Sequence, residues 1–402
     1  MKYAMEEVQE FVDEEDVKFI RLAFCDVFGK QKNISIMPSE LPRAFEQGIA
    51  IDASAIPGFG GEIRSDLLLH PDPDTLVPLP WRPEQGRVVQ MLSEVTFPDG
   101  SAFPADTRAL LRRAVADAAA AGLAFTFGAE QEFYLFKLDD TGKPSKEPCD
   151  EAGYMDIAPE DQGENVRREV CLTLERMGIR PESSHHEEGP GQNEIDFRYA
   201  DALTTADGVM IFQRVVRTVA HRNGLFADFS PKPLADEAGN GFHINMAPAP
   251  FSENLFPSMI AGVLEHACEM TAFLNPREES YLRLGCSKAP AYVSWSTENR
   301  SQLVRIPAAA GEYRRMELRS PDPSANPYLA FALMIWAGLD GIQRGLELPP
   351  AADINLFAAD AETLAQFGKL PGSIGEARSC AAASSFIAAH LPEEIISLYC
   401  GM

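Results

Sequence analysis

The sequence predicts an α+β fold built on an antiparallel or mixed sheet with one apolar and one polar face. Three observations carry that expectation. Residues 17–37 alternate as strands do, helical periodicity first appears after Pro104 and Asp106, and strand-like segments then alternate with helical ones. At 402 residues the chain exceeds the ~250–300 at which a single core stops growing. Two domains are therefore expected, residues 1–103 and 104–402.

In VKFIRLAFCDVFGKQKNISIM (17–37), Gly29 and Lys30 mark a hairpin turn. Pro and Gly then punctuate the chain as far as Pro98, Asp99 and Gly100. TRALLRRAVADAAAAG (107–122) reads as a helix, rich in Ala and Leu and ended by Gly122. Strands are expected at 125–136, 193–198, 226–233, 241–247, 303–306 and 314–319. Helices are expected at 163–178, 203–223, 257–273 and 325–344.

Composition excludes several classes of function. A formal net charge of −25 opposes binding to nucleic acid or anionic lipid. No apolar run approaches the ~18 residues of a membrane span, and the first residues lack a basic and apolar leader, so a cytoplasmic protein is expected. Seven scattered cysteines without a CxxC pair argue against a disulfide framework and a zinc site.

In FTFGAEQEFYLF (125–136), period-two alternation sets Glu130 and Glu132 on one face and Phe133 and Leu135 on the other. Two carboxylates side by side on such a strand call for a cation, and a hard divalent metal is the simplest. In HHEEGPGQNEIDF, Glu187 and Glu194 flank Gly189, Pro190 and Gly191, a turn able to bring both back to one place. His243 and Asn245 share a face in GNGFHINMA, as do Arg315, Glu317 and Arg319 in RRMELRS. Five glutamates and one histidine are enough for two metal sites of three protein ligands each. The arginines suit an anionic substrate such as a nucleoside triphosphate.

These segments, in order and over nearly the full length, resemble the glutamine synthetase family: GAEQEFYLF, SHHEEGPGQNEIDF, PKPLADEAGNGFH, NPREESYLRL, NRSQLVRIP and RRMELRSPDPSANPYLAF each match a family motif. The resemblance implies a small β-grasp N-terminal domain and a larger catalytic domain with a curved antiparallel sheet and helices. It implies Glu132, Glu187 and Glu194 as ligands of one Mg2+ or Mn2+, and Glu130, His243 and Glu317 as ligands of a second at the phosphates of ATP. Arg283 and Arg319 resemble the glutamate-side and transition-state arginines, and Arg300, Arg305 and Arg315 those that meet nucleotide phosphates. Gly239 matches the glycine that receives the glutamate amino group. Asp52 matches the aspartate that binds and deprotonates ammonium, and Tyr154 the tyrosine beside it. The implied activity is an ATP-dependent ligase that activates the γ-carboxylate of glutamate as γ-glutamyl phosphate and passes it to ammonia or an amine. A homo-oligomeric ring of six is implied, with the aspartate loop supplied by a neighbour.

The flap departs from the family pattern. In 283–290 (RLGCSKAP) Lys288 stands where a glutamate is expected, a reversal of sign at the position that decides the acceptor. This leaves open an organic amine acceptor, or a realigned flap in which Glu278 or Glu279 substitutes. Ala55, Ala238, Asn245 and Ala247 are further changes; Ala238 leaves open another carboxylate donor, and a catalytically silent nucleotide-binding homologue is the remaining alternative. The chain stops at SLYCGM, short of the family's usual helical extension, so a double ring is left open. Phe357 stands where some members carry a regulatory tyrosine.

Overall fold

Two mixed β-sheets, one per half of the chain, organise the fold. The computed structural model describes residues 5–60, 65–82, 85–286, 288–297, 299–309 and 311–401, so Ser287 of the flap lies outside the described residues.

The first sheet has six strands: β1 (Val17–Cys25), β2 (Gln31–Ile36), β3 (Ile49–Asp52), β4 (Asp66–Pro71), β5 (Val77–Pro78) and β6 (Arg87–Thr96). They run β2-β1-β6-β4-β3 with β5 on β6; β1 and β6 are parallel and the other pairs antiparallel. Helix α1 (Met5–Glu14) precedes the sheet and α2 (Leu41–Gln47) packs on β4. The expected hairpin turn is present but longer than two residues. Asp26 Oδ1 accepts from the N–H groups of Phe28 (3.1 Å) and Lys30 (2.8 Å), while Gly29 takes φ 79°.

Helix α3 (Thr107–Ala120) begins where the Asp106 carboxylate caps the N–H groups of Arg108 and Ala109. The second sheet contains β7 (Phe125–Leu138), β8 (Pro144–Pro148), β9 (Pro181–His186), β10 (Gln192–Asp201), β11 (Leu225–Asp228), β12 (Phe242–Pro248), β13 (Trp295–Ser296), β14 (Val304–Arg305) and β15 (Met316–Leu318). Its order is β13-β14-β15-β12-β7-β10-β9, with β8 and β11 also on β7. Among the described residues of this sheet, only β13 and β14 pair in parallel.

Helices α4 (Glu164–Arg176), α5 (Ala202–Arg222), α6 (Phe256–Glu265), α7 (Ala267–Leu274), α8 (Ser280–Arg283) and α9 (Pro327–Arg344) complete the larger half. Four short helices follow: α10 (Ala361–Leu364), α11 (Ile374–Ala382), α12 (Ser385–His390) and α13 (Glu393–Cys400). Aromatic pairs fix the sheet's apolar face, Phe127 stacking on Phe331 of α9 at 4.5 Å and Phe133 meeting Phe212 of α5 at 6.2 Å. Helices α6 and α9 cross closely, since a Cβ added at Gly262 would lie 2.1 Å from the Ala337 carbonyl. Arg108 ties the halves together, bonding Asp207 of α5 (2.8 and 2.9 Å) and Asp72 of the first half (2.9 Å).

Several expected elements are shorter than the sequence pattern indicates. The helix expected at 257–273 breaks at His266, whose ring reaches Glu269 (2.8 Å) and Asp340 (2.9 Å). The strand expected at 226–233 stops at Asp228, before Pro231 and Pro233 remove ladder donors, and Pro307 likewise lies just past β14. The strand expected at 314–319 is reduced to β15, with Arg315 and Arg319 immediately flanking it. Among the described residues no helix is long and apolar enough to cross a membrane.

Candidate active site

Strand register builds the site. On the polar face of the second sheet, Glu194 of β10 stands opposite Glu132 of β7. One step along, Asp196, Glu130 and His243 form a row across β10, β7 and β12. A further row runs from Asn245 through Glu317 to Arg305 across β12, β15 and β14. Period-two alternation thus stacks three polar rows on one face, while the other face packs on helices.

The rows converge on His243, whose Nδ1 lies 3.5 Å from Glu130 and 3.7 Å from Glu317, with Nε2 3.8 Å from Glu132. Ligand atoms of Glu130, His243 and Glu317 form one cluster within 4.8 Å of one another; Glu132, Glu194 and His243 form another, and His185, Glu187 and Glu194 a third. The expected turn through Gly189–Gly191 is realised, Glu187 N–H donating to the Gln192 carbonyl at 2.8 Å and so returning Glu187 towards Glu194.

Electrostatics in this cluster favour a cation. Burial, then the Glu187 charge, pushes the Glu132 carboxyl up to about 7, although Gly241 N–H donates to it at 2.7 Å. Burial, then Asp196 and the other carboxylates, raises Glu194, and burial with Glu130 raises Asp196 to about 7. Burial, the largest single influence, opposes charge on Glu187, but the His185 hydrogen bond at 3.1 Å, the His185 charge, the Glu188 N–H and Lys288 together outweigh it and hold the group low. His243 is driven well below its ordinary value by burial and by Arg319, which keeps the ring neutral and one of its nitrogens free as a ligand. The donors are carboxylate oxygens and one neutral imidazole, the set that suits Mg2+ or Mn2+.

Arginines rim the acidic floor of this cleft of about 250 Å3: Arg283, Arg300, Arg305, Arg315 and Arg319 all line it. Arg305 and Arg319 both bond to buried Glu317, the former at 2.8 Å. Arg315 reaches Asn245 at 3.2 Å, and Asn245 in turn donates to Glu130 at 2.7 Å. Arg283 donates to the carbonyls of Ser320 (2.7 Å) and Arg319 (3.2 Å), and its stem packs on Gly239, where a Cβ would come 2.8 Å from Arg283 Cγ.

The flap lies at the mouth. Lys288 adopts φ 63°, and its Nζ sits 2.6 Å from Glu188 and 4.8 Å from the centre of the Tyr154 ring. Tyr154 is itself edge-on to His185 at 5.4 Å. Glu278 and Glu279 are exposed and do not line the cleft. Asp52 is the one expected site residue set apart from it. That carboxylate lies exposed at the end of β3, accepting from Ser54 N–H (3.0 Å) and Oγ (2.6 Å).

Four polar cleft residues escaped the sequence reading: His185, Glu188, Gln192 and Asp196. Asp196 was within reach of it, because two residues from Glu194 on a strand means the same face. Gln192, whose amide lies 3.2 Å from Glu132, carries no pattern that marks it.

The sequence patterns of the glutamine synthetase β-grasp domain and catalytic domain match residues 16–98 and 104–402. Glutamine synthetase of Clostridium saccharobutylicum is 44% identical over 392 residues, covering 94% of this chain and 88% of its own. That of Methanosarcina mazei is 43% identical over 410 residues, covering 98% and 92%. A GmaS/ADP complex superposes with a TM-score of 0.88 at 29% identity, covering 98% of this chain and 94% of that one. With a β-grasp half, a metal-seeking polar sheet face and matches of this extent, the chain belongs to the glutamine synthetase family and is an ATP- and divalent-metal-dependent ligase of that type.

Proposed function

We propose that this ligase joins glutamate to ammonia, forming glutamine through γ-glutamyl phosphate. The observation that carries the reading is the pair of acidic clusters meeting at His243 beneath a rim of arginines. Glu132, Glu187 and Glu194 would hold one ion and Glu130, His243 and Glu317 the other; when bound, these ions supply positive charge to the triphosphate and the transferring phosphoryl group.

The side chains divide the remaining work. Arg300, Arg305 and Arg315 meet the nucleotide phosphates, and the likeness to an ADP-bound structure supports nucleotide binding. Arg319, anchored on Glu317, faces the transferring phosphoryl group. The Gly239 backbone and Arg283 orient glutamate so that a γ-carboxylate oxygen attacks the terminal phosphorus and ADP leaves. The amine nitrogen then attacks the acyl carbon and expels phosphate, its proton passing to a carboxylate, for which Asp52 of a neighbouring subunit is the candidate. The separation of Asp52 from its own chain's cleft supports that assignment and a ring of six with sites between subunits, while one sheet in each half supports domains of 1–103 and 104–402. Seven free cysteines suit a reducing cytoplasm.

A second reading keeps the chemistry and replaces ammonia by an organic amine, on the ground of Lys288 in the flap. Its ion pair with Glu188 counts against a free cation there and favours ammonia. ADP release with glutamate, measured across ammonium, methylamine, polyamines and amino acids, tests the choice; ammonium giving the highest kcat/KM is expected, and a preferred organic amine would overturn it. Hydroxamate formation from glutamate, ATP, metal and hydroxylamine tests donor activation, and its failure with every carboxylate would favour the silent homologue.

A further inference from the structure

A cavity of about 800 Å3 near the seam of the two halves shares no lining residue with the metal cleft. It opens between the β1–β2 turn, helix α5 and the start of the segment after β11. Its charge is anomalous. The chain has 60 Asp and Glu against 35 Lys and Arg, yet six Lys or Arg side chains line this cavity against a single carboxylate, Asp228.

Most of those cations form no ion pair among the described residues. Of the six, only Arg222 has a carboxylate partner among the described residues, Glu169 at 3.4 Å. Arg214 contacts the Gln90 amide oxygen and lies 5.2 Å from the Trp81 ring centre. Arg217 stacks 4.7 Å from the centre of Phe229. Arg21, Lys30 and Arg277 form no side-chain ion pair among the described residues. Asp228 itself is 3.8 Å from Lys146 and accepts from Ser230 N–H at 2.8 Å.

The guanidinium groups also feel one another. Burial, then Arg21 and Arg82, brings Arg214 down to about 10. Burial lowers Arg217, with Asp228 partly opposing and Arg277 adding to the effect. Like charges gathered in a partly desolvated cavity of an acidic protein are costly unless an anion offsets them. Planar guanidinium forks suit carboxylate and phosphate oxygens, and aromatic walls at Phe28, Phe226 and Phe229 suit an organic body.

We propose that this cavity is a second ligand site, separate from the reacting centre, for a small organic polyanion bearing at least two phosphate or carboxylate groups, held by Arg21, Arg214, Arg217 and Arg277. The site draws on both sequence halves, so its occupant would couple the N-terminal sheet to helix α5.

Calorimetric titration of the full-length assembled protein without divalent metal tests this, with inorganic pyrophosphate in one arm and citrate in the other. One site per chain is expected, and the tighter arm identifies phosphate or carboxylate chemistry. Arg277→Gln, at an exposed position, and Arg214→Gln should each weaken binding roughly tenfold or more, with Arg43→Gln unchanged as a surface control. Absence of binding in the assembled wild type would overturn the proposal, as would equal affinities in wild type and both cavity variants. Thermal midpoints of the free variants check folding, and Arg277→Gln keeps the test decisive if Arg214→Gln unfolds.

Discussion

His186 Nε2 lies 2.9 Å from Asp150 Oδ1, and both side chains are wholly buried. The other ring nitrogen faces the Glu187 carbonyl at 2.7 Å. Asp150 already accepts backbone N–H groups from Gly191 (2.9 Å) and Gln162 (2.9 Å), so it is a carboxylate. Both imidazole nitrogens must then donate, which makes His186 a buried cation. The shifts agree: burial works most strongly against charge on each, but their mutual hydrogen bond, the backbone hydrogen bonds and their opposite charges together outweigh it, raising His186 and lowering Asp150. This pair fixes both ends of the 187–191 turn that carries a proposed metal ligand.

Replacing Asp150 by Asn should therefore strand a buried positive charge and loosen that turn. Breaking a buried pair costs roughly 3–5 kcal/mol, and disturbing a residue behind a metal ligand costs about 10–100-fold in affinity. Urea unfolding should register the first and Mn2+ titration by electron paramagnetic resonance the second. The weaker binding should be confined to the ion held by Glu132, Glu187 and Glu194; equal loss at both ions would show general unfolding instead.

The acidic cluster makes the metal-free protein sensitive to pH. Glu132 and Asp196 have folded-state values raised to about 7, so the folded chain holds more protons than the unfolded one between their ordinary values and 7. Their stabilising contribution is complete at low pH and is lost as pH rises through about 7. Glu187 and His243, both held low, act in the opposite direction, but only below their ordinary values of 4.5 and 6.5. The metal-free thermal midpoint should thus fall from about pH 6.5 to 8 if other groups are constant, and the Mn2+-induced rise should be larger at pH 8 than at pH 6.5. A Glu132→Gln variant should flatten the first trend, as read by calorimetry in matched ionic strength.

Gly239 needs its missing side chain for space. An added Cβ would come 2.6 Å from the Pro231 carbonyl and 2.8 Å from Arg283 Cγ, contacts no ordinary packing tolerates. Gly239→Ala should displace Arg283 and raise the glutamate KM roughly tenfold or more, with a smaller effect on the ATP KM. Steady-state kinetics with each substrate varied separately distinguishes this from a uniform loss of folded enzyme.

Much of the site was legible because strands write their faces at period two. Glu130 and Glu132 were assigned to one face by alternation alone, and the register of β7 with β10 and β12 added only which residue opposes which. The short strands β14 and β15 were harder, since two or three residues carry no periodicity and their limits come from tertiary pairing, β15 with β12 and β14 with β15. The break at His266 was hidden for a similar reason: its partner Asp340 lies 74 residues away, and α6 and α7 read as one apolar helix. The cation-rich cavity was illegible, because its arginines are scattered over the chain and only folding gathers them.

Lys288 and Glu188 supply a test of the acceptor. Sequence alone sets a cation at the flap, which should repel ammonium; the structure sets a carboxylate 2.6 Å from it and so largely cancels that field. Glu188→Gln would release the positive charge and should raise the ammonium KM about three- to tenfold, the size of a unit charge acting over several ångströms at an effective dielectric near 20–40. Lys288→Met would free the carboxylate and should lower that KM or leave it unchanged. The double variant should return close to wild type, so the two changes couple with opposite signs in a double-mutant cycle. If Lys288 instead receives the carboxylate of an organic amine, the pattern inverts: Lys288→Met abolishes turnover of that amine, and Glu188→Gln improves it by freeing the ammonium group. Measuring kcat/KM for ammonium and for amino-acid acceptors on all four proteins separates the two, since no single charge arrangement satisfies both patterns.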